Sequence, residues 1–315
     1  MKRTFLTCVI FLFLILTGCS YNSCISEKSA SPVSDFEYVE NEEGGITITD
    51  YLGTDQDVII PAKIEEKAVT QIGGMAFRDN RTIVSVEIPY SVTQIKDSAF
   101  EGCSCLTTIS LCQGLKSIDQ SVFRDCVRLS AVTLPDTLKR IGGEAFANCI
   151  LLKHINIPKS ITKIYDEAFL SSGIETIDFE DGITAIGYNA FGYTNIKSVI
   201  LPKSLREISP GAFGSCTSLE SITLNEGLVS IGNNALCGKS KLTEIVIPAS
   251  VTDMGEEVFN YCNTLQAVKF EGNAPANYQT KHPEWLHDVN YTVYYHKDAT
   301  GFTSPEWCGY PTEIW

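Results

Sequence analysis

The stretch Ile141–Phe169, IGGEAFANCILLKHINIPKSITKIYDEAF, opens and closes on the same Ile-x-x-x-Ala-Phe signature. The isoleucine of this signature recurs every 22 or 23 residues along the chain. Its column consists of Ile72, Ile95, Ile118, Ile141, Ile164, Ile186, Ile208, Ile231 and, with methionine substituted, Met254. A fixed period in the twenties is typical of a solenoid, in which each unit buries its apolar face against its neighbours. The sequence therefore predicts one elongated core built from about nine stacked coils.

Other features repeat in step with these isoleucines. Five positions later lies an aromatic column, made of Phe77, Phe100, Phe123, Phe146, Phe169, Phe191, Phe213, Leu236 and Phe259. Short alternating segments such as Val86/Ile88 and Ile155/Ile157 contain the β-branched residues that strands favour. Because successive units are in register, these segments are predicted to stack as a parallel sheet at about 4.8 Å per coil.

A cysteine column follows the aromatic column by three residues. Its members are Cys103, Cys126, Cys149, Cys216 and Cys262, and the other coils carry Asn80, Ser172, Thr194 and Lys239 there. An even number of cysteines in an exported chain suggests disulfides. Side chains that point the same way from stacked coils have poor disulfide geometry, so we predict thiols buried as small apolar groups. The cysteines outside the column, Cys24, Cys105, Cys112, Cys237 and Cys308, receive no assignment.

Residues 1–18 have the pattern of an export signal. Lys2 and Arg3 precede an apolar run at 5–16 that is too short to cross a hydrocarbon core of about 30 Å as a helix. The tetrapeptide LTGC, which ends at Cys19, resembles the bacterial lipobox. By that resemblance, cleavage leaves Cys19 as a lipidated N-terminus that is held at the membrane without crossing it. A signal peptide that is cleaved without lipidation is the alternative.

The remaining chain divides into three parts. Residues 19–43 are polar, serine-rich and acidic, which predicts a flexible linker. The solenoid is predicted at 44–270, and residues 271–315 break its period. The tryptophans of this last part are Trp285, Trp307 and Trp315. Together with TVYY at 292–295 they predict a strand and an aromatic cap over the last coil, and a sugar-binding platform is the alternative.

Composition and motifs argue against several classes of function. The net charge of −14 falls to −16 without Lys2 and Arg3, and such a surface repels nucleic acids and anionic lipids. The chain has no nucleophile elbow, P-loop or dinucleotide fingerprint, and no paired cysteines at zinc spacing. His282, His287 and His296 cluster in the cap without a known ligand spacing. We therefore predict no enzyme, no cofactor, no metal site and no nucleic-acid partner.

The outward positions of the predicted strands form the candidate binding face. They are mostly small and hydroxyl-rich, and the selected positions are Glu87, Ser110, Thr133, His154, Asn156, Asp178, Ile200, Thr223, Glu244 and Val246. Solenoids commonly bind partners along an extended face of this kind. The alternative is that these are simply solvated strand residues, because a fold does not by itself imply a function.

The repeat Ala-Phe-x-x-Cys-x-x-Leu-x-x-Ile-x-Ile-Pro-x-Ser-Val-x-x-Ile-Gly resembles the BspA-like class of bacterial leucine-rich repeats from about residue 45 to 270. Leu236, Lys239 and Met254 depart mildly from it. The resemblance implies a leucine-rich-repeat solenoid, rich in β-structure with short parallel strands, little helix and a cap at each end.

The same resemblance carries an expectation about function. It implies a lipoprotein exposed at the bacterial cell envelope, with a non-catalytic module that adheres to host matrix protein or to other cells. A glycan-binding or glycan-processing accessory lipoprotein is the rival reading, and a passive spacer is a third.

Overall fold

The computed structural model describes residues 29–276, 278 and 291–315. Within them the chain forms 25 short strands and one 3-10 helix, Val33–Asp35, and it winds into a β-solenoid of about eleven turns. The predicted fold class, rich in short parallel strands with little helix, is therefore confirmed. The predicted signal peptide at 1–18, with its lipidation residue Cys19, lies outside the described residues.

The isoleucine column forms a continuous parallel ladder, which we call the isoleucine ladder. Ile141 pairs in register with Ile118 on one side and with Ile164 on the other. Its strands are β2 (Ile46–Tyr51), β5 (Lys67–Ile72), β7 (Gln94–Ile95), β9 (Ser117–Ile118), β11 (Arg140–Ile141), β13 (Lys163–Ile164), β15 (Ala185–Ile186), β17 (Glu207–Ile208), β19 (Ser230–Ile231) and β21 (Asp253–Met254). Most of these strands have two residues, which is too short for an alternating pattern to reveal them in the sequence.

The alternating segments form a second ladder. Its strands are β3 (Asp57–Ile59), β6 (Ser85–Glu87), β8 (Thr108–Ser110), β10 (Ala131–Val132), β12 (His154–Ile157), β14 (Thr176–Phe179), β16 (Ser198–Ile200), β18 (Ser221–Thr223), β20 (Glu244–Ile247), β22 (Ala267–Phe270), β23 (Thr292–Tyr295) and β25 (Tyr310–Ile314). Neighbouring strands are parallel, but the hydrogen-bonded ladder is interrupted after β10, β14 and β18. The predicted parallel stacking is therefore observed, but it is divided among four hydrogen-bonded sheets, and the uninterrupted ladder is the one on the isoleucines.

The solenoid starts earlier than the predicted boundary at residue 44. Strand β1 (Phe36–Glu40) pairs antiparallel with β2, and Phe36 is buried 5.3 Å from the ring of Tyr51. Strand β4 (Lys63–Ile64) makes a second antiparallel pair, with β5. The linker predicted at 19–43 is therefore wrong for its last part, since a strand with a single buried residue leaves no periodic trace in the sequence.

The predicted aromatic column forms the centre of the core. From Phe100 to Phe213 every phenylalanine of the column is fully buried. The rings of Phe146 and Phe169 stack with centroids 5.4 Å apart and planes only 3° apart. Stacked rings bury large apolar areas and tie each coil to the next.

The C-terminal cap contains more strands than the sequence predicted. The predicted TVYY strand is β23, which pairs with β22, and β25 continues the ladder beyond it. Strand β24 (Glu306–Trp307) then pairs antiparallel with β25 at the end of the stack. Together with the N-terminal coil of β2, these strands bring the solenoid to about eleven turns. The sequence predicted only nine coils because the end coils lack the column residues by which the repeats were counted.

The tryptophans of the cap have different environments. Trp307 is only 6% exposed, and its ring stacks on Tyr278 at 5.0 Å and meets Phe270 edge-on at 5.7 Å. Trp315 is 45% exposed. Trp285 lies outside the described residues. Trp307 therefore closes the core and offers no platform to a sugar.

Candidate functional site

The residues of the second ladder that point away from the core form one side of the solenoid, which we call the outward face. All ten positions selected from the sequence lie on it, and Glu87 and Val246 are half-buried while the other eight are exposed. Parallel pairing aligns them in rows, with Asn156 beside Asp178 and Ile200 beside Thr223. The alternate residues point inward and are buried, as the period of two requires.

A small polar cluster occupies the middle of the outward face. The His154 ring nitrogen Nδ1 lies 2.9 Å from the Thr176 hydroxyl, and Nε2 lies 3.7 Å from an Asp178 carboxylate oxygen. His154 is exposed, and its ring contacts two residues of the neighbouring strand β14. The cluster therefore fixes the positions of polar side chains that a partner would meet.

Ile200 is the large apolar residue of this face. It is 75% exposed at the end of β16 and has Thr223 as its neighbour on β18. Interfaces that bind proteins combine an apolar centre with a polar rim, and this pair of rows has that arrangement. Ile200 thus gives the outward face an apolar contact point.

The C-terminal end of the outward face is charged and aromatic. Lys269 donates to Glu244 at 2.8 Å, and its Nζ lies 5.6 Å from the centre of the Trp315 ring. The ring of His296 stacks on the same tryptophan at 5.1 Å. Of the two tryptophans that the structure describes, Trp315 is the one that a ligand can reach.

The described residues show no chemistry that suggests a metal or a membrane span. Among them, no group of three His, Cys, Asp or Glu side chains is placed to hold a metal ion. Nor does the described part of the chain contain a helix long and apolar enough to cross a bilayer. His296 stacks on Trp315, while His282 and His287 lie outside the described residues.

The column cysteines form hydrogen bonds that the sequence analysis missed. Each thiol donates to the carbonyl of a residue one coil earlier, with Sγ to oxygen distances of 3.0 Å from Cys103 to Phe77 and 3.1 Å from Cys126 to Phe100. No disulfide joins the column cysteines, all of which the structure describes, and this bears out the prediction of thiols. Burial raises the pKa of the Cys262 thiol to about 11, so this thiol stays protonated at neutral pH.

Lys239 takes the place of a cysteine in this column and makes the same contact. Its ammonium is fully buried and donates to the carbonyl of Phe213 and, at 2.8 Å, to that of Cys237. Burial lowers the pKa of this ammonium. Every residue that replaces cysteine in the column carries a hydrogen-bond donor, but only Lys239 donates to the preceding coil, whereas Thr194 donates to the Phe191 carbonyl of its own coil at 2.8 Å. The sequence pattern therefore signalled a polar group at this position without its partner.

Comparison with known proteins gives a match over most of the repeats. The family described as "BspA type Leucine rich repeat region" matches residues 70–197 and 184–279, with six copies of the repeat. A search of curated proteins finds no match.

Solved structures with the same fold come from several bacteria. A leucine-rich repeat protein from Bacteroides ovatus is 26% identical, with a TM-score of 0.76 over 90% of this chain and 76% of that one. One from T. pallidum is also 26% identical, with a TM-score of 0.52 over 75% of this chain and 91% of that chain. A "leucine rich cell surface protein" from Faecalibacterium prausnitzii is 20% identical, with a TM-score of 0.60 over 92% and 95%, and this likeness concerns the fold alone.

Proposed function

Because the chain belongs to the family of BspA-type leucine-rich repeat proteins, we propose that it is a non-catalytic binding module of the bacterial cell surface. Its partner is an extracellular or host matrix protein, and the interaction serves adhesion. The outward face supports the proposal, because it displays ordered rows of small polar residues around the exposed side chain of Ile200.

We further propose that the module is held at the membrane by a lipid on Cys19. The support for this step is the LTGC tetrapeptide after the apolar run, together with an apolar run that is too short to span the bilayer. Two or three acyl chains give stable anchoring, whereas one chain is marginal. The module is thereby tethered to the envelope with its coils outside the lipid.

A substitution at Ile200 tests the proposed contact surface. The full chain is assayed against immobilised matrix proteins, as wild type and as Ile200→Glu. Val229→Glu is the matched control, because valine is also a β-branched apolar residue and Val229 is 44% exposed. It lies beside the isoleucine ladder, away from the rows of the outward face. We expect Ile200→Glu to weaken binding about tenfold or more, as for a contact at the centre of an interface, and Val229→Glu to leave it unchanged.

The rival function predicts a different outcome in the same assay. Saturable binding to a glycan array that is lost in Trp315→Ala would favour a glycan-binding accessory protein. Trp315 is chosen for this test because it is 45% exposed, whereas the ring of Trp307 is buried in the cap. Saturable binding to neither class of ligand would instead favour the passive spacer.

A further inference from the structure

The isoleucine ladder carries a strip of cations on its outward side. We call it the basic strip, and its members are Lys116, Lys139, Arg140 and Lys163. The amide of Lys139 donates to the carbonyl of Lys116 at 2.8 Å, so these two residues are neighbours on successive coils. Arg140 and Lys163 are also neighbours, because Ile141 pairs with Ile164. The strip thus covers three consecutive coils.

Most of this positive charge is not neutralised by the protein. Arg140 pairs with the buried carboxylate of Asp119 at 3.1 Å. Among the described residues, Lys116, Lys139 and Lys163 have no ion-pair partner, and the two outward rows contain no carboxylate between Thr70 and Ala185. Placing like charges side by side raises the local potential and favours a bound anion.

Tyr165 holds two of the cations next to each other. The Arg140 guanidinium carbon and the Lys163 Nζ each lie 5.1 Å from the centre of its ring. Gly142 and Gly187 occupy the same position in the two neighbouring coils, so no side chain crowds the ring from that row. Cation–π contacts of this kind restrict both side chains before a ligand arrives, which lowers the entropic cost of binding.

We propose that the basic strip binds an anionic polysaccharide whose chain runs along the axis of the solenoid. At about 4.8 Å per coil, three coils space the cations over roughly 10 Å, which suits several acidic groups of one extended chain. The net charge of −14 does not prevent this, because charges more than about 8 Å apart are largely screened at physiological salt.

The surroundings of the strip favour a polysaccharide over other polyanions. The remaining outward residues are Thr70, Gln71, Thr93, Gln94, Ser117, Thr162, Thr184 and Ala185, which offer mostly hydroxyl and amide groups to a sugar. An acidic protein partner would call for an apolar interface centre, which these rows do not provide. Four cations without a row of exposed aromatics are also a weak site for single-stranded nucleic acid.

Heparin binding by the full chain tests the proposal. The variant is the triple substitution Lys116→Gln, Lys139→Gln and Lys163→Gln, which keeps Arg140 because it balances the buried Asp119. The control replaces Lys159, Lys203 and Lys297 with glutamine, since these exposed lysines lie outside the two rows of the strip and their removal changes the net charge by the same amount. We expect the strip variant to bind heparin about tenfold more weakly, with a shallower salt dependence, and the control to bind like wild type.

Parallel probes separate the ligand classes. Dextran sulfate should bind like heparin, and neutral dextran should not bind. Equal affinity of the strip variant and the control for heparin would overturn the proposal. So would polyglutamate or single-stranded DNA that binds more tightly than heparin and depends on the same three lysines. Matrix-protein binding through the outward face should be unchanged in both triple variants, which separates this proposal from the function proposed above.

Discussion

At the scale of single residues, the most informative position is the one that follows each core phenylalanine by three. Cys149 donates from Sγ to the carbonyl of Phe123 at 3.1 Å, and Cys262 does the same to Leu236 at 3.2 Å. These bonds join one coil to the next through the interior. Lys239 keeps the contact but brings a fully buried ammonium, which is costly without a counter-ion.

Lys239 lies in the one coil of the phenylalanine column that has lost its ring. Leu236 is smaller than phenylalanine and Lys239 is larger than cysteine, and both are buried in the same turn. We expect Leu236→Phe to overpack against Lys239 and Lys239→Cys to leave a cavity. The free energy of unfolding of the double variant, measured with urea, should therefore exceed the value expected from adding the two single effects by about 1 kcal/mol or more. Additive effects would contradict this coupling.

The buried Lys239 also predicts that the free energy of unfolding depends on pH. Burial holds the pKa of Lys239 below its ordinary value of 10.5, so between those two values the unfolded chain binds more protons than the folded one. The contribution of Lys239 to the free energy of unfolding therefore rises with pH across this window. Wild type should therefore gain stability relative to the double variant, which lacks the Lys239 ammonium, as pH rises through this window. Urea unfolding of both proteins at several pH values measures this, and a difference that does not change with pH would contradict it.

At the scale of elements, the phenylalanine ladder explains how the coils hold their register. Phe146 lies between Phe123 and Phe169, with ring centroids 5.2 and 5.4 Å away. We expect Phe146→Ala to cost about 3–5 kcal/mol because it opens a cavity in this stack. Tyr261→Ala is the control, since its exposed ring contributes little burial. An unchanged urea midpoint in Phe146→Ala would show that the column does not carry the core.

The sequence predicted those elements in which many coils share one pattern. The columns of Ile141 and Phe146 were visible because each repeats in register, and burial follows directly from that. Strand β11 was missed because two residues contain no period, and β1 was missed because Phe36 is its single buried residue. The basic strip was missed for another reason, since its cations become neighbours only after the coils are stacked.

The candidate site was predicted less fully than the fold. Alternation alone identified the outward positions, and the pairing of Asn156 with Asp178 agrees with it. Exposure could not be read from the pattern, so Trp307 and Trp315 were given the same alternatives although one is buried and the other is not. The exposure of each tryptophan depends on tertiary packing, because Trp307 packs against Phe270 and Tyr278 of the last coils.

At the scale of the whole molecule, the proposed lipid connects the solenoid to the cell. We expect Cys19→Ala to move the protein from the membrane fraction to the soluble fraction, because the thioether-linked acyl chains cannot form. Immunoblots of fractionated cells measure this, and Cys24→Ala serves as the matched control. A Cys19→Ala protein that still sediments with membranes would contradict the lipid anchor.

The strands at the two ends of the stack are poor edges for pairing with another chain. Strand β1 carries the exposed residues Glu37 and Glu40, and β24, at the other end, is only two residues long and pairs with the segment of β25 that contains Pro311. Charged, short or proline-containing edges do not pair with the edge of another chain. We therefore expect copies of the chain to stay separate in solution instead of joining end to end into filaments. Under the proposed display on a cell, each molecule would then add its own binding face.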